Sequence, residues 1–295
     1  MRRATWTVAG GRVLGPAPFF VAGIVNVTPD SFSDGGRFLD PGAAEAQCRR
    51  LLAEGADILD VGGESTRPGA DPAPEDEELR RVLPVVEAAA RLAGPDGKPA
   101  VVSVDTVKAG VAAGALAAGA LMVNDVSACR FDPGLADVVA QEKPGYVLMH
   151  CQGTPRTMQA DPRYEDVVAE ISAFFEERLA ALVRAGLPEE NVVLDPGIGF
   201  GKTLAHNLEI LRRLPEFLAL GRPLYLGLSN KALWGKLLGL PVDGRGEATR
   251  LALALAARSG ASVHRVHEVG PAVIALRVAL ALDPDEPLTP YTEVA

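Results

Sequence analysis

Cysteine and histidine are scarce in this sequence, and their scarcity excludes several kinds of site. The 295 residues include four histidines and three cysteines, Cys48, Cys129 and Cys151, which form no Cys-x-x-Cys pair. So small and odd a number of cysteines excludes a disulfide framework and favours a reducing compartment, so we expect a cytoplasmic protein. So few soft ligands also argue against a closed transition-metal site.

Long apolar runs and an excess of positive charge are also missing. The longest apolar run, 111–123, is mostly Ala and Gly and spans only about half a bilayer, so we expect no membrane segment. The basic start is soon interrupted by Gly10, Gly11 and Pro16, which argues against a signal peptide. Asp and Glu number 38 against 29 Lys and Arg, for a net charge of −9. This balance disfavours binding to nucleic acid or anionic lipid, and an anionic ligand would need local positive charges.

The chain instead alternates short β-branched runs with longer segments rich in Ala, Leu, Glu and Arg, in eight cycles from Phe20 onward. This alternation is typical of βα units around a parallel sheet. The predicted strands are 21–27, 57–61, 100–104, 121–126, 146–149, 191–194, 223–228 and 262–266, and the predicted helices include 164–185 and 206–220. Eight units without a linker rich in Pro or Ser predict an α/β fold, a (β/α)8 TIM barrel.

The chain is expected to form a single domain, 1–295. Residues 4–15 alternate in character around two glycines and predict a short N-terminal β-hairpin that plugs the barrel floor. The expected division is a hairpin over 1–18, a barrel over 20–282 and a tail over 283–295.

Polar side chains follow every predicted strand at its carboxyl end, where barrels of this kind build their active sites. These ends carry Asn26, Glu64-Ser65-Thr66-Arg67, Asp105, Asn124-Asp125, His150, Asp195, Ser229-Asn230-Lys231 and Arg265-Val266-His267. A single polar end is usual, because turns and helix caps favour such residues. Eight ends that converge on one face, several of them ionisable, favour a functional site.

The residue types at these ends indicate what the site binds. Carboxylate and amide acceptors are offered by Asp105, Asn124 and Asp195, and a cationic clamp for an anion is predicted from Arg67, Lys231, Arg265 and His267. Acceptors of this kind suit a flat 2-aminopyrimidinone edge, whose paired N–H groups make a bidentate contact with a carboxylate. Arg265 and His267 are two apart on a strand, so they point the same way and suit phosphate oxygens. His264 is expected to fringe the strand in solvent.

Two further segments suggest ligands for phosphate or metal. Residues 195–203 end in Gly-Lys-Thr, but Pro196 stands where a Walker loop requires its first glycine, so we reject a nucleotide triphosphatase. Residues 26–37 are rich in oxygen ligands and typical of a loop that closes over substrate. Oxygen ligands combined with phosphates suit Mg²⁺, for which Asn26 is the predicted protein ligand. Asp30 and Asp34 fit either a ligand role or a turn-forming role.

Three motifs resemble those of the dihydropteroate synthase family. They are NVTPDSFSDGG at 26–36, GGESTRPG at 62–69 and DPGIGFGK at 195–202, and shorter matches at 103–106, 123–125, 149–150 and 265–267 fall in the same order. The resemblance runs from about residue 20 to residue 282. It implies a barrel transferase of folate synthesis that joins 7,8-dihydropterin-6-ylmethyl diphosphate to 4-aminobenzoate and releases diphosphate.

The resemblance also implies roles for individual residues. The pterin diphosphate pocket would consist of Thr66, Asp105, Asn124, Asp195, Lys231, Arg265 and His267. All of these except Thr66 and Asn124 would be catalytic. The aminobenzoate side would use Phe32, Arg67, Pro68, Phe200 and Ser229. Asn26 would hold Mg²⁺, the small-molecule substrates would be the main partners, and the chain would form a homodimer.

Three positions depart from the family's usual pattern. The family commonly has Ser-Arg-Lys after the seventh strand, where this chain has Asn230 in the middle, a hydroxyl where this chain has Ala232, and Asp where this chain has Glu268. Because Asn230 replaces the family's Arg, the aminobenzoate carboxylate would lack that cation and would rely on the helix N-terminus near Ala232. Two alternatives stay open: a pterin-binding paralogue without synthase activity, which Asn230 and Glu268 motivate, and a methyltetrahydrofolate-dependent methyltransferase, which would keep the Asp and Asn acceptors.

Overall fold

The computed structural model of the protein describes residues 1–27, 41–65, 72–154 and 156–287. The strands in these ranges are β1 (Ala4–Val8), β2 (Arg12–Ala17), β3 (Phe20–Asn26), β4 (Ile58–Gly62), β5 (Val101–Asp105), β6 (Met122–Asp125), β7 (Gly145–Met149), β8 (Val192–Asp195), β9 (Leu224–Gly227) and β10 (Ala261–Val266). The α-helices are α1 (Pro41–Ala53), α2 (Glu75–Ala90), α3 (Ala109–Ala117), α4 (Gly134–Glu142), α5 (Val167–Ala185), α6 (Leu204–Arg212), α7 (Ala232–Leu238), α8 (Gly246–Arg258) and α9 (Val269–Ala281).

Strands β3 to β10 close into a barrel in chain order, with β10 hydrogen-bonded to both β9 and β3. All eight run parallel, and β1 and β2 form a separate antiparallel hairpin. The predicted TIM barrel with a short N-terminal hairpin is therefore confirmed. The division into segments 1–18, 20–282 and 283–295 stays a prediction.

The barrel strands are buried on both faces, because helices cover the outside and side chains fill the inside. Every residue of β4, β5 and β7 is buried. Successive side chains of a strand point alternately inward and outward, so inward positions recur every two residues.

None of the helices in the described ranges has the length and apolar character needed to cross a membrane.

The hairpin closes the amino-terminal end of the barrel, as predicted. Trp6 on β1 is fully buried, packs among inward side chains that include Met122 and Tyr225, and donates a hydrogen bond from Nε1 to the Asn191 carbonyl at 2.7 Å. The Ala9 amide donates to the Leu121 carbonyl at 3.1 Å. The floor is thus plugged by apolar contacts, which leaves the carboxyl ends of the strands as the open face.

Two helix predictions differ from the structure, and one short helix is missing from the predicted set. The predicted helix 206–220 is two elements, α6 and a 3-10 segment Leu214–Leu220, because Pro215 cannot donate the hydrogen bond that would continue α6. Helix α5 begins at Val167, since the Asp166 side chain accepts the amides of the first turn. Helix α7 is missing from the helices predicted by apolar period, because its seven residues are too few to show one, although a helix N-terminus was expected near Ala232, where α7 begins.

His264 does not fringe the strand in solvent, as had been expected, but is fully buried. It lies on β10, whose outward face is packed beneath α8. In a closed barrel the outward face of a strand meets helices, so the side opposite the lumen is also shielded from water. Burial accordingly lowers the pKa of His264 to about 4.

Candidate active site

The barrel interior changes from apolar to polar along its strands. Toward the floor, the inward side chains form one apolar cluster that includes Ile58, Val101, Met122, Val193 and Val263. Two residues later on the same five strands stand polar side chains: Asp60, Ser103, Asn124, Asp195 and Arg265. The two-residue period of a strand keeps these polar groups inside the barrel, at the carboxyl end. A polar layer therefore rests on an apolar floor.

The strand register sets several predicted site residues at one height. Asn26 pairs with Gly62, Gly62 pairs with Asp105, and Asp105 pairs with Asn124. Gly62 leaves room for its neighbour, since a Cβ added there would lie 3.4 Å from the Asp105 Cβ. Asn26, Asp105 and Asn124 therefore share one layer at the mouth of the barrel.

Arg265 is the centre of the ion pairs in this layer. Its Nε donates to Asp60 Oδ2 at 2.5 Å, and its Nη2 donates to Asp105 Oδ2 at 2.6 Å. Asn124 Nδ2 donates to the same Asp60 oxygen at 3.0 Å. Burial raises the pKa of Asp105 well above its ordinary value, and the positive charge of Arg265 only partly opposes this. The layer thus contains carboxylate acceptors and a guanidinium cation that are joined by ion pairs.

Asp195 and Lys231 form a second part of the site. Asp195 Oδ1 accepts the Gly197 amide at 2.8 Å, and burial raises the pKa of Asp195 to about 6 although that amide and Lys231 favour the ionised form. Loss of hydration lowers the pKa of Lys231 to about 8, against the attraction of Asp195. Lys231 Nζ also lies 4.4 Å from the centroid of the Phe200 ring. A carboxylate, an ammonium and an aromatic face therefore lie together, as a flat polar ligand requires.

Ser229 and His267 meet at the edge of the barrel, where β9 and β10 end. Ser229 Oγ lies 2.9 Å from His267 Nδ1 and accepts the His267 backbone amide at 3.3 Å. The hydroxyl therefore orients the imidazole. Ser229 is predicted to lie on the aminobenzoate side, and in the structure it also contacts His267, the residue predicted to bind the diphosphate.

Six of the residues singled out in the sequence lie outside the described residues: Asp30, Phe32, Asp34, Thr66, Arg67 and Pro68. Among the other predicted site residues, Arg265 contacts Asp105 directly, and Arg265 and Asn124 both contact Asp60. Lys231 contacts Phe200, and Ser229 contacts His267.

Two polar strand ends do not face the barrel interior. Asp125 accepts the amides of Ser127 and Cys129 and the Tyr146 hydroxyl, so it shapes the turn after β6. His150 packs edge-on against Phe174 of α5, with ring centroids 4.9 Å apart. Each stands one residue after an inward position, so its side chain takes the opposite direction. The expectation that all eight ends point into one site is wrong for these two residues.

Sequence reasoning missed two buried polar residues, Asp60 and Lys202. Asp60 lies inside an otherwise apolar strand, and that isolation is the signal that could have marked it. Lys202 Nζ contacts His150 Nδ1 at 3.0 Å and donates to the Phe200 carbonyl at 3.0 Å, and burial lowers its pKa to about 7. Lys202 thereby ties the glycine-rich segment 195–202 to the end of β7.

The departures from the family pattern lie beside the site. Asn230 has a left-handed φ of 56°, which asparagine tolerates better than most residues, and its carbonyl accepts a hydrogen bond from Arg245 at 3.1 Å. Glu268 precedes α9 and pairs with Arg250 at 3.7 Å. Both Asn230 and Glu268 border one open groove of about 780 Å³. Asn230 and Glu268 are therefore neighbours in the fold.

Comparison with known proteins gives consistent matches over most of the chain. The model of the pterin binding enzyme family matches residues 22–267. A dihydropteroate synthase of Mycobacterium leprae is 46% identical over 270 residues, which cover 89% of this chain and 93% of that protein. A probable bifunctional folylpolyglutamate synthase/dihydropteroate synthase of Haloferax volcanii is 45% identical over 261 residues, and this chain spans only 30% of its length.

Solved structures agree with the sequence matches. A Yersinia pestis dihydropteroate synthase in a sulfonamide drug complex superposes with a TM-score of 0.87 at 41% identity, over 94% of this chain and 98% of that one. A Xanthomonas albilineans dihydropteroate synthase with 4-aminobenzoic acid superposes with a TM-score of 0.83 at 46% identity, over 93% of this chain and 97% of that one.

Proposed function

The chain belongs to the pterin-binding enzyme family and, within it, to the dihydropteroate synthases, and we propose that the polar layer of its barrel carries out their reaction. The enzyme is a transferase that condenses 7,8-dihydropterin-6-ylmethyl diphosphate with 4-aminobenzoate to give 7,8-dihydropteroate and diphosphate. One observation carries the assignment of the site: the acceptors Asp105, Asn124 and Asp195 share the barrel mouth with Arg265 and Lys231.

The pterin ring binds at the buried acceptors. Asp105, Asn124 and Asp195 offer oxygen atoms inside the barrel, and the N–H groups of the 2-amino-pyrimidinone edge are suitable donors to them. Lys231 supplies a donor for a ring acceptor and shields one face together with Phe200. Thr66 is assigned to the same pocket on the resemblance alone.

Arg265 and His267 hold the diphosphate. Departure of diphosphate breaks a C–O bond and leaves a cationic methylene that the pterin ring stabilises by electron donation. Donors placed where negative charge develops typically contribute about 3 kcal/mol each, so Arg265 and His267 favour this step. The carboxylates of Asp105 and Asp195 offset the cation, and the aniline nitrogen then forms the C–N bond and loses a proton.

The aminobenzoate side lies near Phe200 and Ser229, beyond Lys231. The Xanthomonas albilineans enzyme holds 4-aminobenzoic acid and the Yersinia pestis enzyme a sulfonamide drug, so we assign both ligand types to this side of the present site. Phe32, Arg67 and Pro68 are assigned here on the resemblance. Contact of the carboxylate with the helix N-terminus near Ala232 stays a prediction.

Asn26 fits a role as a Mg²⁺ ligand. It ends β3 in the same layer as Asp105 and Asn124, and it offers one amide oxygen at the barrel mouth. Among the residues that the structure describes, no three His, Cys, Asp or Glu side chains are grouped as a metal site. A protein that supplies one oxygen suits Mg²⁺, which usually completes its shell with phosphate and water. When bound, Mg²⁺ supplies positive charge to the diphosphate.

Replacing Asn26 is expected to weaken the dependence on Mg²⁺. We expect Asn26→Ala to raise the Mg²⁺ concentration needed for half-maximal rate by about tenfold or more, whereas Asn26→Asp keeps an oxygen ligand and most of the affinity. Titration calorimetry of the pterin diphosphate at several Mg²⁺ concentrations gives the same comparison without turnover. An unchanged Mg²⁺ requirement in Asn26→Ala would remove Asn26 from the site.

The activity itself is tested by release of diphosphate from the pterin diphosphate and Mg²⁺, with and without 4-aminobenzoate. We expect release that depends on aminobenzoate, with dihydropteroate as the product. Asn230 and Glu268 motivate the alternative of a paralogue that binds pterin without turnover. Tight pterin diphosphate binding with no dihydropteroate formed would support that alternative and contradict the synthase.

Two copies of the chain are proposed to pack through α8 and α9. These neighbouring helices carry a stripe of exposed aliphatic side chains: Leu251, Leu255, Ile274, Val278 and, just after α9, Leu282, each at least 52% exposed. A contiguous apolar surface of this kind marks a protein interface.

The location is proposed to be cytoplasmic, because Cys48, Cys129 and Cys151 are all free thiols.

Leu255→Glu is expected to convert the dimer to a monomer, because it places a charge in the middle of the apolar stripe. The matched control is Val13→Glu, which alters a side chain of similar exposure, 56%, on the hairpin at the barrel floor. Light scattering after gel filtration measures the mass of each variant. A monomeric wild-type protein, or a Leu255→Glu dimer, would contradict the interface.

A further inference from the structure

We propose that Asp60 is a positioning residue for the reaction: it holds the side chains of Arg265 and Asn124 where the pterin diphosphate needs them. The inference rests on the proposed function of the barrel mouth. Asp60 is 0% exposed and lies one inward position below Gly62, the strand partner of Asp105, so we assign it no contact with the substrate.

The contacts of Asp60 cross the barrel. One carboxylate oxygen, Oδ2, accepts Arg265 Nε of β10 at 2.5 Å and Asn124 Nδ2 of β6 at 3.0 Å. Neither β6 nor β10 is hydrogen-bonded to β4, the strand that carries Asp60. Asp60 therefore joins two side chains that the backbone ladder of the sheet does not hold together.

The two carboxylates on Arg265 have different tasks. Asp105, the second one, accepts Arg265 Nη2 at 2.6 Å and lies higher, at the level of Asn26. As a proposed acceptor for the pterin, Asp105 is shared between Arg265 and the ligand. Asp60 is out of the ligand's reach, so its contact with Arg265 Nε persists when Asp105 turns to the pterin. The guanidinium is then still aimed at the diphosphate.

The same carboxylate explains how Asn124 is oriented. An amide side chain presents a donor on one side and an acceptor on the other, and its direction is set by the partners. Because Nδ2 donates to Asp60, the Asn124 oxygen is turned away from Asp60. That orientation makes Asn124 an acceptor for pterin N–H groups, as the chemistry of the pocket requires.

Asp60 also acts on Asp105 through its charge. Burial raises the pKa of Asp105, Arg265 lowers it, and the carboxylates of Asp60, Glu78 and Asp125 raise it further. Removing the charge of Asp60 is therefore expected to lower the pKa of Asp105. The shift would report that the two carboxylates interact in the folded protein, whereas a general loss of stability would leave the pKa of Asp105 unchanged.

The experiment compares Asp60→Asn and Asp60→Glu with wild type and with Asp57→Asn. Asp57 precedes the same strand at its opposite end and accepts the Val21 amide, so it controls for loss of a carboxylate from this part of the chain. We expect Asp60→Asn to raise KM and the calorimetric Kd for the pterin diphosphate by roughly ten- to a hundredfold, since the charged acceptor shared by Arg265 and Asn124 becomes a neutral amide. KM for 4-aminobenzoate stays within about twofold, and Asp57→Asn leaves both constants unchanged within the same margin.

Asp60→Glu keeps the charge but displaces the oxygen, so it is expected to give an intermediate loss. If Asp60→Asn does not fold, as judged by circular dichroism, Asp60→Glu decides by the same comparison. In the folded variants the pH below which pterin diphosphate binding weakens is expected to move downward in Asp60→Asn only.

Two outcomes would overturn the inference. One is Kd for the pterin diphosphate within about twofold of wild type in the folded Asp60 variants. The other is an equal loss for both substrates that follows a fall in melting temperature, with no change in the pH profile. Because wild type is assayed first and binding is measured without turnover, failure of the proposed activity would be recognised separately.

Discussion

Asp195→Asn is expected to lower kcat by about a hundredfold or more and to leave the fold at least as stable as wild type. The variant keeps the Oδ1 acceptor for the Gly197 amide, so the turn after β8 retains its hydrogen bond. It loses the negative charge that accepts pterin N–H groups and offsets the cationic methylene. Loss of one such electrostatic contact commonly costs 10²- to 10³-fold, roughly, in turnover.

The sign of the stability effect follows from the pKa of Asp195. Burial raises that pKa from 3.8 to about 6, so between these values the native state binds more protons than the unfolded state. The free energy of unfolding therefore falls as pH rises through this window, and above about pH 6 the ionised carboxylate destabilises the native state. Asparagine cannot ionise, so the melting temperature of the variant should exceed that of wild type at pH 8, and the difference should shrink toward pH 4.

Asp125→Asn provides the contrast for this prediction. Asp125 is equally buried, but it accepts two backbone amides and the Tyr146 hydroxyl and faces away from the lumen. Its replacement should lower the melting temperature, because buried donors lose a charged acceptor. Parallel losses of turnover and stability in Asp195→Asn would mean that Asp195 is structural, like Asp125.

Gly197→Ala is expected to destabilise the protein by about 3 kcal/mol or more and to abolish activity. Gly197 has a φ of +69°, and a Cβ there would lie 1.9 Å from the His150 carbonyl oxygen. That carbonyl cannot retreat easily, because the His150 amide is bonded to the Asp195 carbonyl at 2.9 Å and Lys202 donates to the His150 oxygen at 3.3 Å. The substitution therefore forces apart the two segments that position Asp195.

Gly221→Ala separates this clash from the ordinary cost of a left-handed alanine. Gly221 has a similar φ of +72°, but no atom lies within 4 Å of an added Cβ. It should cost only about 1 kcal/mol and leave kcat unchanged. Urea unfolding of both variants measures the difference, and equal free energies of unfolding would show that the contact with His150 does not matter.

The barrel was predictable because its signals are local. Eight apolar runs separated by helix-length segments predict a parallel sheet without knowledge of any contact, and the structure closes all eight. The errors lie where a local cause overrides the pattern, as at Pro215, or where an element is too short to show a period, as in α7. Element type was therefore more predictable than element boundary.

The site was only partly predictable, because its assembly depends on side-chain direction. Asp105 and Asn124 were found at strand ends, but Asp60 was missed, although it contacts Asn124 directly. Asp125 was grouped with Asn124, although adjacent strand residues face opposite sides. The sequence alone does not say which of two alternating sets points into the lumen.

The sequence by itself determined the fold class and the chemical inventory: eight βα units, acceptors for N–H groups, and cations for an anion. These follow from apolar periodicity and residue type, which need no knowledge of contacts. Only the tertiary structure decided that Arg265 is held by Asp60 and Asp105, that Ser229 orients His267, and that His264 is buried beneath a helix. The physical reason is closure of the barrel, which brings strands distant in sequence together and divides every strand into a face toward the lumen and a face toward the helices.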